Sequence, residues 1–403
     1  MKKTNVFTKL IAAALVLCFV TAMFASCGAG ETVMSYDGGK HTINEKELSL
    51  IMRIKKLDYF CSMLYTSKND TATFWSTDSG NEEGQTYEQL YKDLVTDQTK
   101  AILVEKYLFD ELGLTLSQDK LDGYKSSIKT AETNYGGKGA YKQYFGYTAS
   151  DYYNIYMQMV ARSEAVLEAL CGEDGEQAVT AEDLENFYQE NYVGYQFIVL
   201  DMKNKVKRDE EGNRIIATEE DDEGNVEELD YYETEELTEE EKSEKQILAD
   251  TILAELEAGT KTFEELVAEY SDEYYSVAFP EGQFVLKDGT FINSTITEKV
   301  KDLEIGEYTE EAISIDSDNY KYIVKRIELK DEVYNDDAYL ELFEGYEDTV
   351  KLDKYEGIIE TYFDKVTVNE EILSEYTMED TFLSQYADDY YTQYIYQYYG
   401  LSY

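Results

Sequence analysis

LADTILAELEAGTKTFEELVAEYSDE, residues 248–273, reads as a helix, a stop and a second helix. The first helix resumes near Glu239, runs to Ala258 and ends at Gly259; the second spans Phe263 to Tyr270. Before the pair stands GYQFIVLDM (194–202), apolar and rich in strand-forming residues. After it come two more strand candidates, Gly282 to Leu286 and Tyr320 to Leu329, with a helix at Thr295 to Asp302 and a turn at Gly306 between them. The order strand, helix, helix, strand, helix, strand predicts a small α+β domain.

Upstream the chain reads as helical. Asn44 can cap a helix with Glu47 three residues on, and Leu50, Ile54, Leu57, Cys61 and Leu64 recur at three- and four-residue spacing. Residues 67–85 are loop-like and hold the only tryptophan, Trp75. A second long helix fits Tyr87 to Leu112, with Leu90, Leu94, Ile102 and Leu108 on its buried side. Helical pieces at Ser117 to Asn134, Gly139 to Phe145 and Ala149 to Leu170 are separated by Gly136-Gly137 and Gly146, and no strand pattern appears between 44 and 170. Thr180 to Asp183 can cap a helix that continues through Asn191 and leads into the α+β segment.

Residues 203–245 are the most charged segment, with 18 acidic against three basic residues from Asp209 to Lys245. Turns at Glu211-Gly212-Asn213 and Glu223-Gly224-Asn225 make this insert a hairpin or a mobile excursion. Beyond Asp331 the pattern is helical to about Lys365, then Val366 to Asn369 is briefly extended. The tail holds eight tyrosines between Tyr386 and Tyr403. It reads either as an end whose rings cover an apolar groove or as a binding surface for sugar or polypeptide.

The N-terminus sets the address. Lys2, Lys3 and Lys9 precede an apolar run from Leu10 to Phe24, which is too short to span a bilayer. Residues 1–26 read as a signal peptide. Ala25-Ser26-Cys27 resembles the lipobox of bacterial lipoproteins, which implies lipidation of Cys27 and a place on the outer face of the cell membrane. The chain has 36 basic against 85 acidic residues, a net charge of −49, so it repels phosphate backbones and nucleic acid is excluded as a partner. Once Cys18 and Cys27 are set aside, Cys61 and Cys171 remain, too few for a disulfide scaffold, although they could pair with each other. Phosphate loops, zinc spacings and nucleophile elbows are absent, so no cofactor or metal is expected. Glu219, Asp221, Glu223 and Gly224 faintly resemble the start of a calcium loop but read better as a solvated acidic excursion. His41, the only histidine, sits near a turn before the first helix.

In this order, the elements resemble the lipoprotein foldases of the PrsA type and the related SurA chaperones. Three segments carry the resemblance: YGGKGAYKQYFGYTASDYYNIYMQMVARSEAVLEAL (135–170), VTAEDLENFYQENY (179–192), and the run from 248 to 328 that closes with LEIGEYTEEAISIDSDNYKYIVKRIE. The resemblance implies an α+β protein built from a helical SurA/PrsA-like chaperone domain, a small parvulin-like domain and a returning C-terminal helix. The implied boundaries are signal 1–26, lipidated helical domain 27–178, parvulin-like domain 179–332 with the acidic insert 203–245, returning helix 333–370 packing on the helical domain, and tyrosine-rich tail 371–403.

Parvulins surround a peptidyl-proline bond with two histidines, a Cys or Asp, and an apolar floor. By this resemblance the catalytic positions fall on Gln196, Glu273 and Lys321, and none keeps its family residue. Substrate contacts fall on Phe197, Phe284, Val300, Tyr320 and Tyr322. Prolyl isomerisation needs a desolvated ring pocket and groups that favour the twisted amide, not a nucleophile. An unpaired Lys321 ammonium cannot replace a buried imidazole; it would turn outward or pair with Glu273. The expected function is therefore a membrane-anchored chaperone or foldase for exported, unfolded polypeptides, with isomerase activity weak or absent. An active peptidylprolyl isomerase and a glycan- or solute-binding lipoprotein remain as alternatives, and a homodimer stays open.

Overall fold

The computed structural model describes residues 30–81, 83–220, 226–279, 281–315 and 319–398. The signal segment, Cys27 and the turn at 223–225 lie outside the described residues. The protein is α+β and divides into two units, one made of residues up to Ala178 together with those from Lys351 onward, the other of Val179–Val350.

The first unit opens with a hairpin of β1 (Thr32–Tyr36) and β2 (His41–Asn44). Gly38 and Gly39 turn it at φ of 65° and 87°, values a side chain would resist. Near the other end of the chain, β11 (Thr367–Val368) pairs antiparallel with β1, Met34 opposite Val368, to give a sheet ordered β11-β1-β2. The expected brief extended piece at 366–369 is this strand. β1 and β2 were not anticipated, and they make His41 a strand residue whose ring meets Tyr107 edge-on at 5.7 Å.

Helix α1 (Glu45–Ser62) starts at a reciprocal capping box, in which Glu47 N donates to Asn44 Oδ1 and Asn44 N to Glu47 Oε2. Leu48, Ile51, Met52 and Phe60 are buried as well as Leu50, Ile54 and Leu57, so α1 is enclosed on more than one face. Trp75, expected in a loop, lies in the short helix α2 (Ala72–Ser76), and its Nε1 donates to Asp70 at 2.7 Å. In α3 (Tyr87–Glu111) the buried stripe includes Val95, Thr99, Leu103 and Leu108; Leu94, expected on the buried side, is 48 % exposed, one residue off the observed stripe.

Helices α4 (Gln118–Asn134) and α5 (Lys138–Phe145) follow. A one-turn helix at Ala149–Asp151 then passes through a π-helical stretch, Tyr152–Met157, into α6 (Gln158–Cys171). Cys61 and Cys171 form no disulfide with each other. Among the described residues no helix is long and apolar enough to cross a membrane.

The tyrosine-rich tail docks on this unit. Met378 and Ala387 are fully buried in its core, and Lys56, itself 0 % exposed, donates to the carbonyls of Met378 and Thr381 at 2.7 Å each. Its ammonium also pairs with Asp70 at 2.8 Å. Helix α14 (Tyr386–Tyr398) closes the described tail, after α13 (Glu370–Ser374).

In the second unit, α7 (Ala181–Asn191), capped by Thr180 and Asp183, leads into β3 (Tyr192–Asp201). With β8 (Gln283–Leu286), β9 (Ile313–Ile315) and β10 (Tyr320–Ile327), β3 forms an antiparallel sheet ordered β8-β3-β10-β9. Side chains alternate across it. Val193, Tyr195, Phe197 and Val199 face Phe291 and α11 (Ser294–Val300). Ile198, Leu200 and Met202 face α8 (Glu239–Ala258) and α9 (Phe263–Tyr270). Burial on both faces explains why this strand reads as an unbroken apolar run.

The acidic insert is an ordered hairpin over its described residues: β4 (Asn204–Val206) pairs with β7 (Thr234–Glu236), and β5 (Ile216–Glu220) with β6 (Val226–Tyr232). A short helix, α10 (Tyr274–Ala278), and β9 were not anticipated. The expected helix beyond 331 is broken into 3₁₀ turns at Val333–Asn335 and Leu340–Phe343 before α12 (Tyr346–Glu360) begins.

Candidate functional site

The alternation along β3 and β10 sorts the eight residues singled out by resemblance. Phe197 lies opposite Val324 and Val199 opposite Tyr322, whereas Gln196 lies opposite Lys325 and Lys321 opposite Leu200. Gln196 and Lys321 therefore belong to the face covered by α8 and α9, and four residues of register separate them. Gln196 is 6 % exposed. Lys321 turns outward and donates to Gln246 of α8 at 3.3 Å rather than pairing with Glu273. These two share one face of the sheet but stand four residues apart along it, so they do not face each other across a groove.

Phe197 and Val300 share the opposite face, but they are packed into a closed core with Phe291 and Ile296. This part of the sheet face is filled by the protein's own side chains. Phe284 belongs elsewhere: its ring meets Tyr188 at 6.1 Å and Tyr339 at 5.6 Å in a separate aromatic cluster.

Glu273, Tyr320 and Tyr322 do come together. They line a cavity of about 440 Å³ with Val199, Asp272 and, from the acidic hairpin, Tyr231 and Tyr232. Local bonds build its floor. The Ser271 hydroxyl accepts from Val199 N at 3.0 Å, Asp272 N donates to Val199 O at 2.8 Å, and Asp272 Oδ2 accepts from Asp201 N at 2.9 Å, so the end of α9 is stitched to β3. Lys245 reaches Asp272 at 2.6 Å. Burial pushes the Asp272 carboxyl above its usual range, and Lys245 opposes the shift.

Glu273 caps α10, its Oε2 accepting from Ser276 N at 2.7 Å; burial raises its pKa too, against that hydrogen bond. Burial, with the nearby Glu273 charge, pushes Tyr322 up to about 12.

The hairpin forms the other wall. Arg214 donates to the carbonyls of Ala268 and Ser271 at 2.8 and 3.0 Å and lies 5.8 Å over the Tyr232 ring. Tyr275 donates to Asp230 at 2.8 Å, and Tyr232 meets Tyr274 at 5.6 Å. These wall residues escaped the sequence reading, although the tyrosine pairs at 231–232 and 274–275 were a visible signal.

Chemically the cavity offers aromatic faces and carboxylates, with no histidine or cysteine in its lining. It can hold a chain by stacking and hydrogen bonding. A phenol held near 12 stays protonated and is a poor base. Among the described residues no cluster of His, Cys, Asp and Glu could hold a metal ion. The calcium-like stretch falls partly outside the described residues.

No family model and no curated protein matches the sequence. Solved structures do. PrsA from Bacillus subtilis is 13 % identical, with 75 % of this chain and 90 % of that one covered at a TM-score of 0.21. The PrsA foldase of Lactococcus lactis is 14 % identical over 85 % and 96 %, at 0.23. A chain from the study of two SurA-like chaperones of Campylobacter jejuni is 14 % identical over 86 % and 98 %, at 0.18. In structure, then, the chain is similar to PrsA foldases and to a SurA-like chaperone, at TM-scores too low for residue roles to be carried across.

Proposed function

We propose that this chain is an extracytoplasmic chaperone of the foldase kind, anchored through lipid on Cys27, which holds unfolded exported polypeptides and does not catalyse prolyl isomerisation. The observation that carries the reading is the state of the sheet face. The place for a proline ring is filled by Phe197, Phe291, Ile296 and Val300, while the open cavity beside it presents tyrosines and carboxylates suited to gripping a chain. An isomerase must admit the ring to a desolvated pocket and favour the twisted amide there. The signal-like N-terminus and Ala25-Ser26-Cys27 support the address.

Light scattering of an aggregating, chemically unfolded client tests this. The full mature chain at equimolar ratio is expected to suppress aggregation, and a Tyr231→Ala/Tyr232→Ala pair to weaken suppression at least about twofold, since alanine removes the large aromatic contact area. Undiminished suppression in the double variant would move client binding away from this cavity; no suppression by the native chain would end the chaperone reading.

A further inference from the structure

In a chain where acidic residues outnumber basic ones by 85 to 36, one cavity is lined by three cations and no carboxylate. It lies on the same face of β3 as Phe197, at the other end from the tyrosine cavity, and measures about 280 Å³. Lys287, Lys301 and Arg326 supply the charge; Tyr195, Val285 and Phe291 supply apolar wall.

The three cations are not equivalent. Lys301 pairs with Glu298 at 2.8 Å, and Lys287 donates to the carbonyls of Gln189 and Glu190 near the end of α7. Arg326 sits on β10 opposite Tyr195, with its guanidinium carbon 5.4 Å over that ring, and Tyr195 in turn stacks on Phe291 at 4.7 Å. Among the described residues no carboxylate pairs with Arg326, and its Nε is buried with no hydrogen-bond partner.

A buried N–H donor without an acceptor is costly. A guanidinium held over an aromatic ring offers its fork of donors to a planar, two-oxygen acceptor. The apolar walls ask for a hydrocarbon body attached to that acceptor, and the volume admits one side chain with its carboxylate.

We propose that this cavity captures the free C-terminal carboxylate of a polypeptide whose last side chain is apolar. The inference rests on the polypeptide-binding reading above and names one feature of the clients that reading requires. Chain ends of this kind are a recognised anchor for peptide capture.

The test uses the full mature chain in roughly 0.15 M salt, a salt level at which exposed charges are screened beyond about 8 Å, and a fluorescent hexapeptide that ends in leucine and has a blocked N-terminus and no charged side chain. Anisotropy titration is expected to show the free acid binding at least about tenfold more tightly than the C-terminal amide, a margin in keeping with a charge-assisted contact. Arg326→Gln should bring the acid down to the level of the amide, Arg326→Lys should restore part of the difference, and the exposed Lys301→Gln should lower acid binding without disturbing the fold. N-acetyl-leucine should compete where N-acetyl-leucine amide and inorganic phosphate do not, which separates a carboxylate site from a site for any small anion. Equal binding of acid and amide, or an acid preference that persists in Arg326→Gln, overturns the proposal. A chain that suppresses client aggregation without acid preference loses this site and keeps the chaperone reading; acid preference without suppression does the reverse.

Discussion

Among the described residues, Lys56 and Glu105 are the lysine and the carboxylic acid that the helical unit buries, and they call for opposite treatment. The Lys56 ammonium has a carboxylate partner in Asp70 and two short carbonyl contacts, which hold its charge although burial lowers its pKa. Lys56→Met leaves Asp70 without its counter-charge, with only the neutral Trp75 donor beside it, and takes the ammonium from the Met378 and Thr381 carbonyls, so a loss of about 3–5 kcal/mol is expected, the usual effect of breaking a buried pair from one side. Chemical denaturation measures the loss, and limited proteolysis should cut sooner within residues 376–398. A midpoint unchanged by the substitution would contradict this placement of the lysine.

Among the described residues, Glu105 of α3 has only hydroxyl partners, Ser163 at 2.7 Å and Tyr355 at 2.8 Å, and burial raises its pKa. A carboxyl raised in the folded state contributes stability that is fully present below its unfolded pKa of about 4.3 and lost as pH rises through the folded value. Glu105→Gln cannot titrate. Its melting temperature relative to the native chain should therefore rise between pH 4.5 and 7.5; an offset that does not change with pH would show that burial does not shift this group.

Elements differ in how much of them the sequence displayed. Capping boxes at Asn44 and Thr180 and the glycine stop at Gly259 mark helix ends locally, and they were legible. The β11-β1-β2 sheet was not, because it joins residues more than 320 positions apart and its strands hold two to five residues each. β3 was legible as a strand, yet its faces were not: an apolar run buried on both sides carries no alternation, so only its register with β10 places Gln196 against the helices. The acidic insert showed its turns but hid its role as a wall, since contacts such as Arg214 to Ser271 lie far apart in sequence. Replacing residues 209–231 with a short Gly-Ser link should leave the β8-β3-β10-β9 sheet intact by circular dichroism and lower client suppression at least about threefold, because the contact area of the tyrosine wall goes with it. Full suppression without the hairpin would remove it from the site.

Across the whole molecule, charge is the dominant physical fact. A net −49 favours solubility and, on the proposed reading, biases encounters toward cationic clients. Such steering is screened: the Debye length falls from roughly 14 Å at 0.05 M to about 4 Å at 0.5 M salt. Preference for a basic over an acidic client of equal length should shrink severalfold across that range, read as relative suppression by light scattering, while the grip on neutral clients changes little. A preference that is insensitive to salt would point to specific pairing instead.

Holding without isomerising is the central claim, and exchange spectroscopy by nuclear magnetic resonance tests it most directly. A proline-containing peptide is mixed with the full mature chain, and its cis and trans signals are followed together with the shifts that report binding. Uncatalysed exchange takes tens to hundreds of seconds. The proposed reading predicts binding shifts with cis–trans exchange left on that timescale; exchange cross-peaks that grow with protein concentration, at millisecond to second mixing times, would contradict it.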